Sequence, residues 1–385
     1  MKVLITSDWN IDAINGVVTS ILNLKDELEK LGHEVKILTL SPSFENEKKA
    51  DVYMVGSISA ERVYHKARLR IRRGKKLVDE ICSWKPDIIH SQCEFSSFFL
   101  AKEISRRLSI PLVHTCHTVY EDYVGYVLPH LKALGIRGVR EIFRYCSKYC
   151  DLFIAPTEKV KRILLSYPVI CPVEVVPTGI KIKSYDKDCD REKIEEIKKE
   201  YNIEGKKILL YLGRLAKEKN ISELLNFISE LKRDDISFLI VGDGPYRNEL
   251  EEEANKLGLT RPKVIFTGMV KPEDVHFWYE SADLFINASQ SETQGLTYIE
   301  ALSSALPLLV RKDECLEGVV EDGINGWEYN NKEEFFSYLD QYFASSDKAL
   351  MRENAKKKAM NFSSSNFASH MEGIYNSLIE VKNEQ

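Results

Sequence analysis

The sequence predicts an α/β fold made of two doubly wound, Rossmann-like domains. Short β-rich runs alternate with longer helical patterns along the 385 residues, and the series starts again near residue 206, after a charged stretch. Such alternation implies parallel sheets with helices on both faces. The length also exceeds what a single core usually holds. We therefore expect two domains that face a cleft, with ligands bound in it at the carboxyl ends of the strands.

The predicted strands can be followed in chain order. The first half contains KVLITS, EVKILTL, DVYMVG, DIIHSQ, PLVHTCHT, DLFIAP and VEVVPTG, and the second contains KKILLYLG, SFLIVGDG, KVIFTG, DLFINAS and PLLVR. We place the boundary near residue 180, which gives an N-terminal domain of residues 1–180 and a C-terminal domain of residues 181–360. Residues 361–385 have the pattern of an amphipathic helix, which we expect to cross back to the N-terminal domain.

Composition narrows the class of protein. No run of about 18 apolar residues predicts a transmembrane helix, and the first residues, MKVLITSDWN, lack the pattern of a signal peptide. The eight cysteines include no CxxC pair, which favours a reduced, cytoplasmic chain without a zinc site. The net charge of −5 is uneven, because residues 1–180 carry 26 Lys and Arg against 21 Asp and Glu. This basic half suggests an anionic partner, although chance unevenness is an equal alternative.

Two carboxylates stand eight positions apart in SQSETQGLTYIEAL. The preceding strand ends near Ser289 and a helix is predicted from about Leu296, so Glu292 lies in the loop and Glu300 on the helix. Amides at a helix N-terminus bind phosphate, and Gly295 lets the backbone approach an anion. The two carboxylates can accept hydrogen bonds from sugar and ribose hydroxyls. The stretch is a candidate nucleotide-sugar site; an acid placed near a helix start for dipole reasons is the simpler alternative.

Two cations follow another strand of the second half. In LLYLGRLAKEKN the strand ends at Gly213, and Arg214 and Lys219 come before the next helix. This arrangement suits a diphosphate, which Arg can bind through two parallel hydrogen bonds and Lys as a point charge. A solvated basic turn is the alternative. It is weakened because this motif and the carboxylate motif fall on the same edge of the predicted sheet.

Two weaker motifs lie in the first half. In INGVVTSI, Gly16 precedes a helix whose N-terminus can face the cleft. No GxGxxG motif accompanies it, which argues against a nicotinamide oxidoreductase. In PLVHTCHTVYEDY, His114 and His117 lie near a strand end, with Glu121 and Asp122 close by. A pair of histidines in a polar loop is as consistent with a catalytic role as with a structural one.

Together these motifs resemble the retaining glycosyltransferases with the GT-B fold, of the family 4 type, over almost the whole chain. The Glu292 and Glu300 spacing, with Gly295 and Leu296 inside it, is the most specific mark, and GRLAKEKN and DGINGW support it. The resemblance implies that Arg214 and Lys219 hold the donor diphosphate. It also implies that Gly295 and Leu296 offer their amides to phosphate or sugar.

The resemblance assigns further roles around the donor. Gly16 would lie against the diphosphate, Glu300 would bind the ribose and Glu292 the transferred sugar. His117 would touch the sugar near the reacting carbon. The base would lie between Met269 and Val270. The residues expected to be catalytic are His117, Glu292, Arg214 and Lys219.

A narrower resemblance concerns HTCHTVYEDY, EFSSF, APTEKV, VPTGI and SETQGLTYIEAL, which look like the bacterial diacylglycerol glucosyltransferases and related glycolipid glycosyltransferases. It implies transfer of glucose or galactose from UDP-glucose or UDP-galactose to diacylglycerol or a glycosyl-diacylglycerol, which forms an α-linked membrane glycolipid. It implies no cofactor, no metal and no nucleic acid partner. A soluble glycan or small-molecule acceptor remains an alternative, as does a non-catalytic nucleotide-sugar-binding protein.

Two basic segments are candidates for contact with an anionic membrane surface. The first contains eight basic residues and no acid, namely Arg62, Lys66, Arg68, Arg70, Arg72, Arg73, Lys75 and Lys76. The second, residues 126–150, places Arg137, Arg140, Arg144 and Lys148 on one helix face, with Val139, Ile142 and Phe143 as an apolar side. Such a helix suits the cytoplasmic face of a membrane. A solvated face above an ordinary core side is the alternative. We therefore expect a cytoplasmic, peripheral protein on the inner face of the cell membrane.

Overall fold

The structure, a computed structural model, describes residues 1–13, 15–60, 68–71, 74–121, 132–182 and 187–384. The chain divides into two compact units. The N-unit comprises Met1–Lys181 with Ser363–Gln385, and the C-unit comprises Ile182–Phe362. The division after residue 181 lies one residue beyond the boundary expected at 180, and the C-terminal segment belongs to the N-unit.

The N-unit contains a large sheet and a small hairpin. In the described residues, eight strands form the sheet in the order β10-β9-β8-β7-β1-β2-β4-β3, with only β3 antiparallel to its neighbour, while β5 and β6 pair separately. These strands are Lys2–Thr6 (β1), Glu34–Leu40 (β2), Glu47–Lys49 (β3), Val52–Val55 (β4), Ser57–Ser59 (β5), Arg68–Arg70 (β6), Ile88–Ser91 (β7), Leu112–Thr115 (β8), Leu152–Ala155 (β9) and Val173–Val175 (β10).

Helices cover both faces of this sheet, because alternate side chains of a strand point to opposite sides. On β1, Leu4 is buried in one apolar cluster, whereas Val3 and Ile5 are buried in another. This arrangement confirms the doubly wound α/β fold. The described helices that precede the C-unit are Gly16–Lys30 (α1), Lys75–Trp84 (α2), Ser96–Leu108 (α3), Lys132–Ser147 (α4) and Glu158–Ser166 (α5).

In the part of the C-unit that the structure describes, six strands form a parallel sheet in the order β13-β12-β11-β14-β15-β16. Its strands are Lys207–Leu212 (β11), Ile236–Val241 (β12), Val264–Gly268 (β13), Leu284–Asn287 (β14), Leu308–Arg311 (β15) and Gly326–Tyr329 (β16). Its helices are Lys187–Glu200 (α6), Ile221–Glu230 (α7), Arg247–Lys256 (α8), Val275–Ser281 (α9), Leu296–Ser303 (α10), Lys332–Ala344 (α11) and Lys348–Ala359 (α12).

The last helix, Ser364–Asn383 (α13), packs on the N-unit sheet. Its Tyr375 hydroxyl lies 2.6 Å from Nδ1 of His90, whose Nε2 lies 2.7 Å from Oγ1 of Thr115. Burial holds the pKa of His90 well below its usual value, so the ring is neutral. A buried, uncharged network therefore attaches α13 to strands β7 and β8. No helix in the described ranges is long and apolar enough to cross a membrane.

The apolar side of α4 does not face outward, so our expectation that it contacts lipid is wrong. Val139 and Phe143 are buried in the N-unit core, and Ile142 packs against it. Apolar residues at helical spacing can pack equally well against a protein core or a bilayer, and in this helix they pack against the core. The basic side is exposed, at Arg137, Arg140, Arg144 and Lys148.

The first basic segment is described only in part, since Arg62, Lys66, Arg72 and Arg73 lie outside the described residues. Arg68 points inward. Its guanidinium donates hydrogen bonds to the carbonyls of Ser41 at 3.0 Å and Pro42 at 2.8 Å, and it therefore holds the hairpin to the sheet. Arg70 is partly exposed, and Lys75 and Lys76 are exposed at the start of α2.

Candidate active site

The two motifs of the C-unit follow neighbouring strands. The motif with Arg214 and Lys219 follows β11, and that with Glu292 follows β14. The order of the sheet reverses between these two strands. At such a switch point the two crossovers leave toward opposite faces, which opens a crevice at the carboxyl ends of the strands. The prediction that both motifs share one edge is confirmed.

Lys219 and Glu292 meet at this edge. The Nζ atom of Lys219 lies 2.6 Å from Oε1 of Glu292, and the side chains are 17% and 16% exposed. An ion pair so largely withdrawn from water is less screened than a surface pair. Any anion that binds Lys219 therefore changes the environment of Glu292, and the two residues form one electrostatic unit.

Arg214 is held in the same loop by a partner that sequence reasoning missed. Its guanidinium pairs with Glu218 four residues later, and its carbonyl accepts a hydrogen bond from the Tyr211 hydroxyl at 3.0 Å. The carbonyl of Glu218 accepts a bond from Oγ of Ser291 at 3.2 Å. Glu218 thus orients Arg214 and also joins the two loops of the site.

Two glycines of VGDGP let the neighbouring loop support this one. A Cβ atom on Gly242 would lie 2.0 Å from the carbonyl oxygen of Gly213, and one on Gly244 would lie 2.2 Å from that of Leu215. The Leu215 amide donates to the Asp243 carbonyl at 3.0 Å. Close backbone packing, rather than ligand contact, explains these glycines.

Helix α10 begins at Leu296, as predicted, directly after a glycine in the left-handed region. Gly295 has φ +71°, and a Cβ atom there would lie 2.4 Å from the ring of Tyr298. Both facts require glycine, so this residue alone is no sign of an anion. The Tyr298 amide donates to the Gly295 carbonyl at 3.0 Å. The amides of Leu296 and Thr297, which precede it at the helix N-terminus, remain the expected anion donors.

Glu300 lies in the second turn of α10, where Oε2 accepts a 2.9 Å hydrogen bond from the Tyr279 hydroxyl. Burial raises the pKa of Glu300 to about 7, and the bond from Tyr279 opposes this shift in part. The carboxyl therefore changes charge near neutral pH. Tyr279, on α9, was not recognised from the sequence.

UDP affinity is expected to rise with pH as Glu300 ionises. A carboxylate accepts stronger hydrogen bonds from ribose hydroxyls than a carboxylic acid does. UDP should therefore bind several-fold more tightly at about pH 8 than at about pH 6, on either side of the pKa of about 7. Calorimetric titration of wild type and Glu300→Gln tests this. The phosphates of UDP also titrate in this range, and Glu300→Gln removes only the carboxyl contribution. An equal pH step in both proteins would contradict the assignment.

The two residues predicted to flank the base directly follow β13. Met269 is strongly exposed and Val270 is partly exposed. β13 lies two strands away from β11 in the sheet. Their contact with the base stays a prediction.

The N-unit carries its polar residues at the carboxyl ends of β7 and β8. Nε2 of His117 lies 2.6 Å from Oε1 of Gln92. Burial, with the nearby His114 as a second cause, lowers the pKa of His117 to about 3, so this ring is neutral. His114 is fully buried, with Nε2 3.3 Å from Oε1 of Glu94. His117 is thus a neutral hydrogen-bonding group that Gln92 orients, whereas His114 is withdrawn from the surface.

Two acids, the half-buried Asp8 and the buried Glu94, accompany these histidines and were missed. The Tyr120 hydroxyl donates to Oε2 of Glu94 at 2.6 Å, and the Ser97 amide donates to Oδ1 of Asp8 at 2.7 Å. Burial raises the pKa of Asp8 to about 6. Asp8 follows β1 and Glu94 follows β7, the two strands between which the order of this sheet reverses. The sequence could have indicated both residues, because each is an acid within two residues of the end of a predicted strand.

Gly16 is the first residue of α1 and is exposed. The helix is capped by Asn15, whose Oδ1 accepts a 3.0 Å hydrogen bond from the Val18 amide. Helix α1 is the next helix after β1 in the chain. Its start therefore lies beyond the carboxyl end of β1, next to the switch point of the N-unit sheet. The predicted contact of Gly16 with a diphosphate is untested.

Two α/β units, each built on a largely parallel sheet, define the GT-B architecture. The structure of HepE from Anabaena, in complex with UDP and glucose, superposes with a TM-score of 0.76 at 16% identity. It matches 98% of this chain and 100% of its own. Residues 14–184 match the family described as Glycosyltransferase Family 4, and residues 193–361 match Glycosyl transferases group 1.

Two relatives align with the full chain. An alpha-monoglucosyldiacylglycerol synthase of Streptococcus pneumoniae is 35% identical over 100% of this chain and 88% of its own length. Another, of Acholeplasma laidlawii, is 32% identical over 100% of this chain and 99% of its own. The chain belongs to the GT-B glycosyltransferases of this group 1 and family 4 type.

Proposed function

We propose that the protein is a retaining glycosyltransferase that transfers glucose or galactose from UDP-glucose or UDP-galactose to diacylglycerol or a glycosyl-diacylglycerol. The product is an α-linked membrane glycolipid, made at the inner face of the cell membrane by a cytoplasmic, peripheral enzyme. The two full-length relatives that are named alpha-monoglucosyldiacylglycerol synthase support the glycolipid acceptor.

The pair of Lys219 and Glu292 beside Arg214 is the observation that carries the proposal. It places two cations and the carboxylate of Glu292 at the switch point of the C-unit sheet, together with the start of α10. Glu218, paired with Arg214, orients one of these cations. The cations match a diphosphate and the carboxylate matches sugar hydroxyls. A site for a simple anion would not need Glu292 against its lysine.

The reaction separates a sugar from UDP, so negative charge grows on the leaving diphosphate. Arg214, Lys219 and the first amides of α10 would stabilise this charge in the transition state. Because these groups supply positive charge, the proposal includes neither a divalent metal nor a cofactor. Gly295 and Leu296 belong to this anion-binding backbone, and Gly16 is proposed to lie against the diphosphate.

The remaining residues would orient the donor. Glu300 would accept hydrogen bonds from the ribose, and Met269 and Val270 would flank the base. Glu292 would bind the transferred sugar. His117, neutral because of its lowered pKa, would hydrogen-bond to the sugar near the reacting carbon. It would act as a positioned dipole and not as a cation.

The test is UDP release from a panel of UDP-sugars, with vesicles that contain diacylglycerol or glycosyl-diacylglycerol, in excess EDTA. We expect release that depends on the lipid acceptor, and an α-anomeric product by NMR. Release that needs no lipid and follows an added soluble glycan would favour the soluble-acceptor alternative. Binding of UDP-sugar without release, whatever the acceptor, would favour a non-catalytic protein.

A further inference from the structure

The hairpin of β5 and β6 has its apolar side toward solvent. Ile58 pairs directly with Leu69, and Ile71 continues the same face two residues on. All three side chains are exposed, whereas Arg68 on the opposite face binds the carbonyls of Ser41 and Pro42. A half-buried antiparallel pair normally places its apolar residues inward and its charges outward. This reversed pattern indicates that something apolar meets the outer face.

Two aromatic side chains lie next to this hairpin. The amide of Arg70 donates to Oγ of Ser96 at 3.1 Å, which brings β6 beside the start of α3. Phe95 and Phe99 lie there four residues apart, on one side of the helix. With the hairpin residues they make five exposed apolar side chains, each between 37% and 49% exposed. We call Ile58, Leu69, Ile71, Phe95 and Phe99 the apolar face.

Basic residues border the apolar face on two sides. On one side, Lys75 and Lys76 are exposed at the start of α2, shortly after Ile71. On the other, the ring centroid of Phe99 lies 5.8 Å from that of Tyr145 on α4. That helix exposes the basic side chains Arg137, Arg140, Arg144 and Lys148. Arg140 and Arg144 pair with Glu121 and Glu141, so Lys75, Lys76, Arg137 and Lys148 supply most of the positive charge. Apolar residues bordered by cations on two sides match an anionic lipid surface, where cations meet headgroups and rings enter the interface.

We propose that the apolar face enters the interfacial region of an anionic bilayer and is the membrane-insertion surface of the N-unit. The proposal rests on the proposed glycolipid function, and it replaces α4 as the source of apolar lipid contacts, since Val139 and Phe143 belong to the core. A second copy of the chain is a poorer occupant, because a two-fold contact through this face would bring the same cations together.

The position of the apolar face fits this role. The Ser97 amide, in the first turn of α3 between Phe95 and Phe99, donates to Oδ1 of Asp8. Asp8 lies at the carboxyl end of the N-unit sheet, where α1 also begins. A lipid acceptor whose acyl chains stay in the bilayer beside this surface would therefore have its headgroup near the polar end of this sheet.

The experiment compares wild type, Phe95→Ser/Phe99→Ser and the control Leu31→Ser/Leu350→Ser, which removes two similarly exposed apolar side chains elsewhere. Flotation with phosphatidylglycerol–phosphatidylcholine vesicles measures partition. UDP release with a monomeric short-chain diacylglycerol measures activity away from a bilayer. We expect the Phe95/Phe99 variant to partition at least about tenfold more weakly, or about 1.4 kcal/mol. Its activity on the monomeric acceptor should be unchanged, and the control should match wild type in both assays.

A tryptophan probe keeps the proposal testable if the double variant misfolds. In Phe99→Trp, vesicles with brominated acyl chains should quench fluorescence beyond the quenching seen for wild type. No added quenching, or wild-type partition of Phe95→Ser/Phe99→Ser, would overturn the proposal. A dimer that dissociates in this variant during sedimentation would favour a second copy instead. If insertion is found but no diacylglycerol acceptor supports UDP release, the apolar face stands and the proposed function fails.

Discussion

Arg214→Ala and Lys219→Ala are each expected to lower kcat/KM for the UDP-sugar roughly 30- to 900-fold. This range corresponds to about 2–4 kcal/mol of lost transition-state stabilisation, the usual cost of removing one group aimed at developing charge. Both residues lie in the loop after β11 and would serve one diphosphate. Initial rates of UDP release over a range of donor concentrations measure the effect. Lys217→Ala is the matched control, since it removes an exposed lysine from the same turn.

The double variant should lose less than the sum of the two single losses. Residues that act on one group are not independent, and their coupling is commonly 0.5 kcal/mol or more. The structure adds a reason, because Glu218 pairs with Arg214 and precedes Lys219 directly. Near-normal rates in either single variant would show that the diphosphate is bound elsewhere. Strict additivity would show that the two cations contact different groups.

The sequence predicted the site where local signals determine structure. The start of α10 at Leu296 follows from a glycine that must adopt a positive φ and from the apolar spacing of TYIEAL. The predicted strand ends at Gly213 and near Ser289 lie within two residues of the observed ends at Leu212 and Asn287, because the β-rich runs stop there. Because parallel strands share a carboxyl edge, these local facts were sufficient to place Arg214, Lys219 and Glu292 on one side of a sheet.

The partners of these residues could not be predicted, because they depend on how loops converge. Lys219 and Glu292 are 73 positions apart, and no local pattern indicates that the two side chains meet at 2.6 Å. Tyr279 and Glu300 come from different helices that pack only in the folded unit. Long-range pairs of this kind require the topology of the sheet, which alternation of strands and helices leaves open.

The basic helix α4 and the hairpin of β5 and β6 show two further limits of prediction from the sequence. Periodicity identified an apolar side of α4 but could not distinguish a core from a bilayer, and Phe143 is in the core. The hairpin was missed because strands of three residues are too short for a reliable alternation signal. Its exposed Ile58 and Leu69 became informative only when the pairing showed that they share the outer face.

Glu292→Gln is expected to lower kcat at least roughly 100-fold while UDP affinity is retained or slightly increased. Glu292 would bind the transferred sugar, and the amide keeps the shape but loses the charge that accepts strong hydrogen bonds from hydroxyls. It also loses its ion pair with Lys219. An ammonium released from a carboxylate attracts a diphosphate more strongly. The lower kcat and the retained UDP affinity therefore both follow from removal of the negative charge of Glu292.

Calorimetric titration with UDP and single-turnover release from the UDP-sugar separate binding from chemistry in Glu292→Gln. Glu249→Gln is the control, because it removes an exposed carboxylate from α8 of the same unit. A wild-type kcat in Glu292→Gln would remove this residue from the catalytic group. A large loss of UDP affinity with normal chemistry would instead assign Glu292 to the nucleotide. In that case its contact with Lys219 would serve to keep the diphosphate site in shape, and the transferred sugar would be bound by other residues.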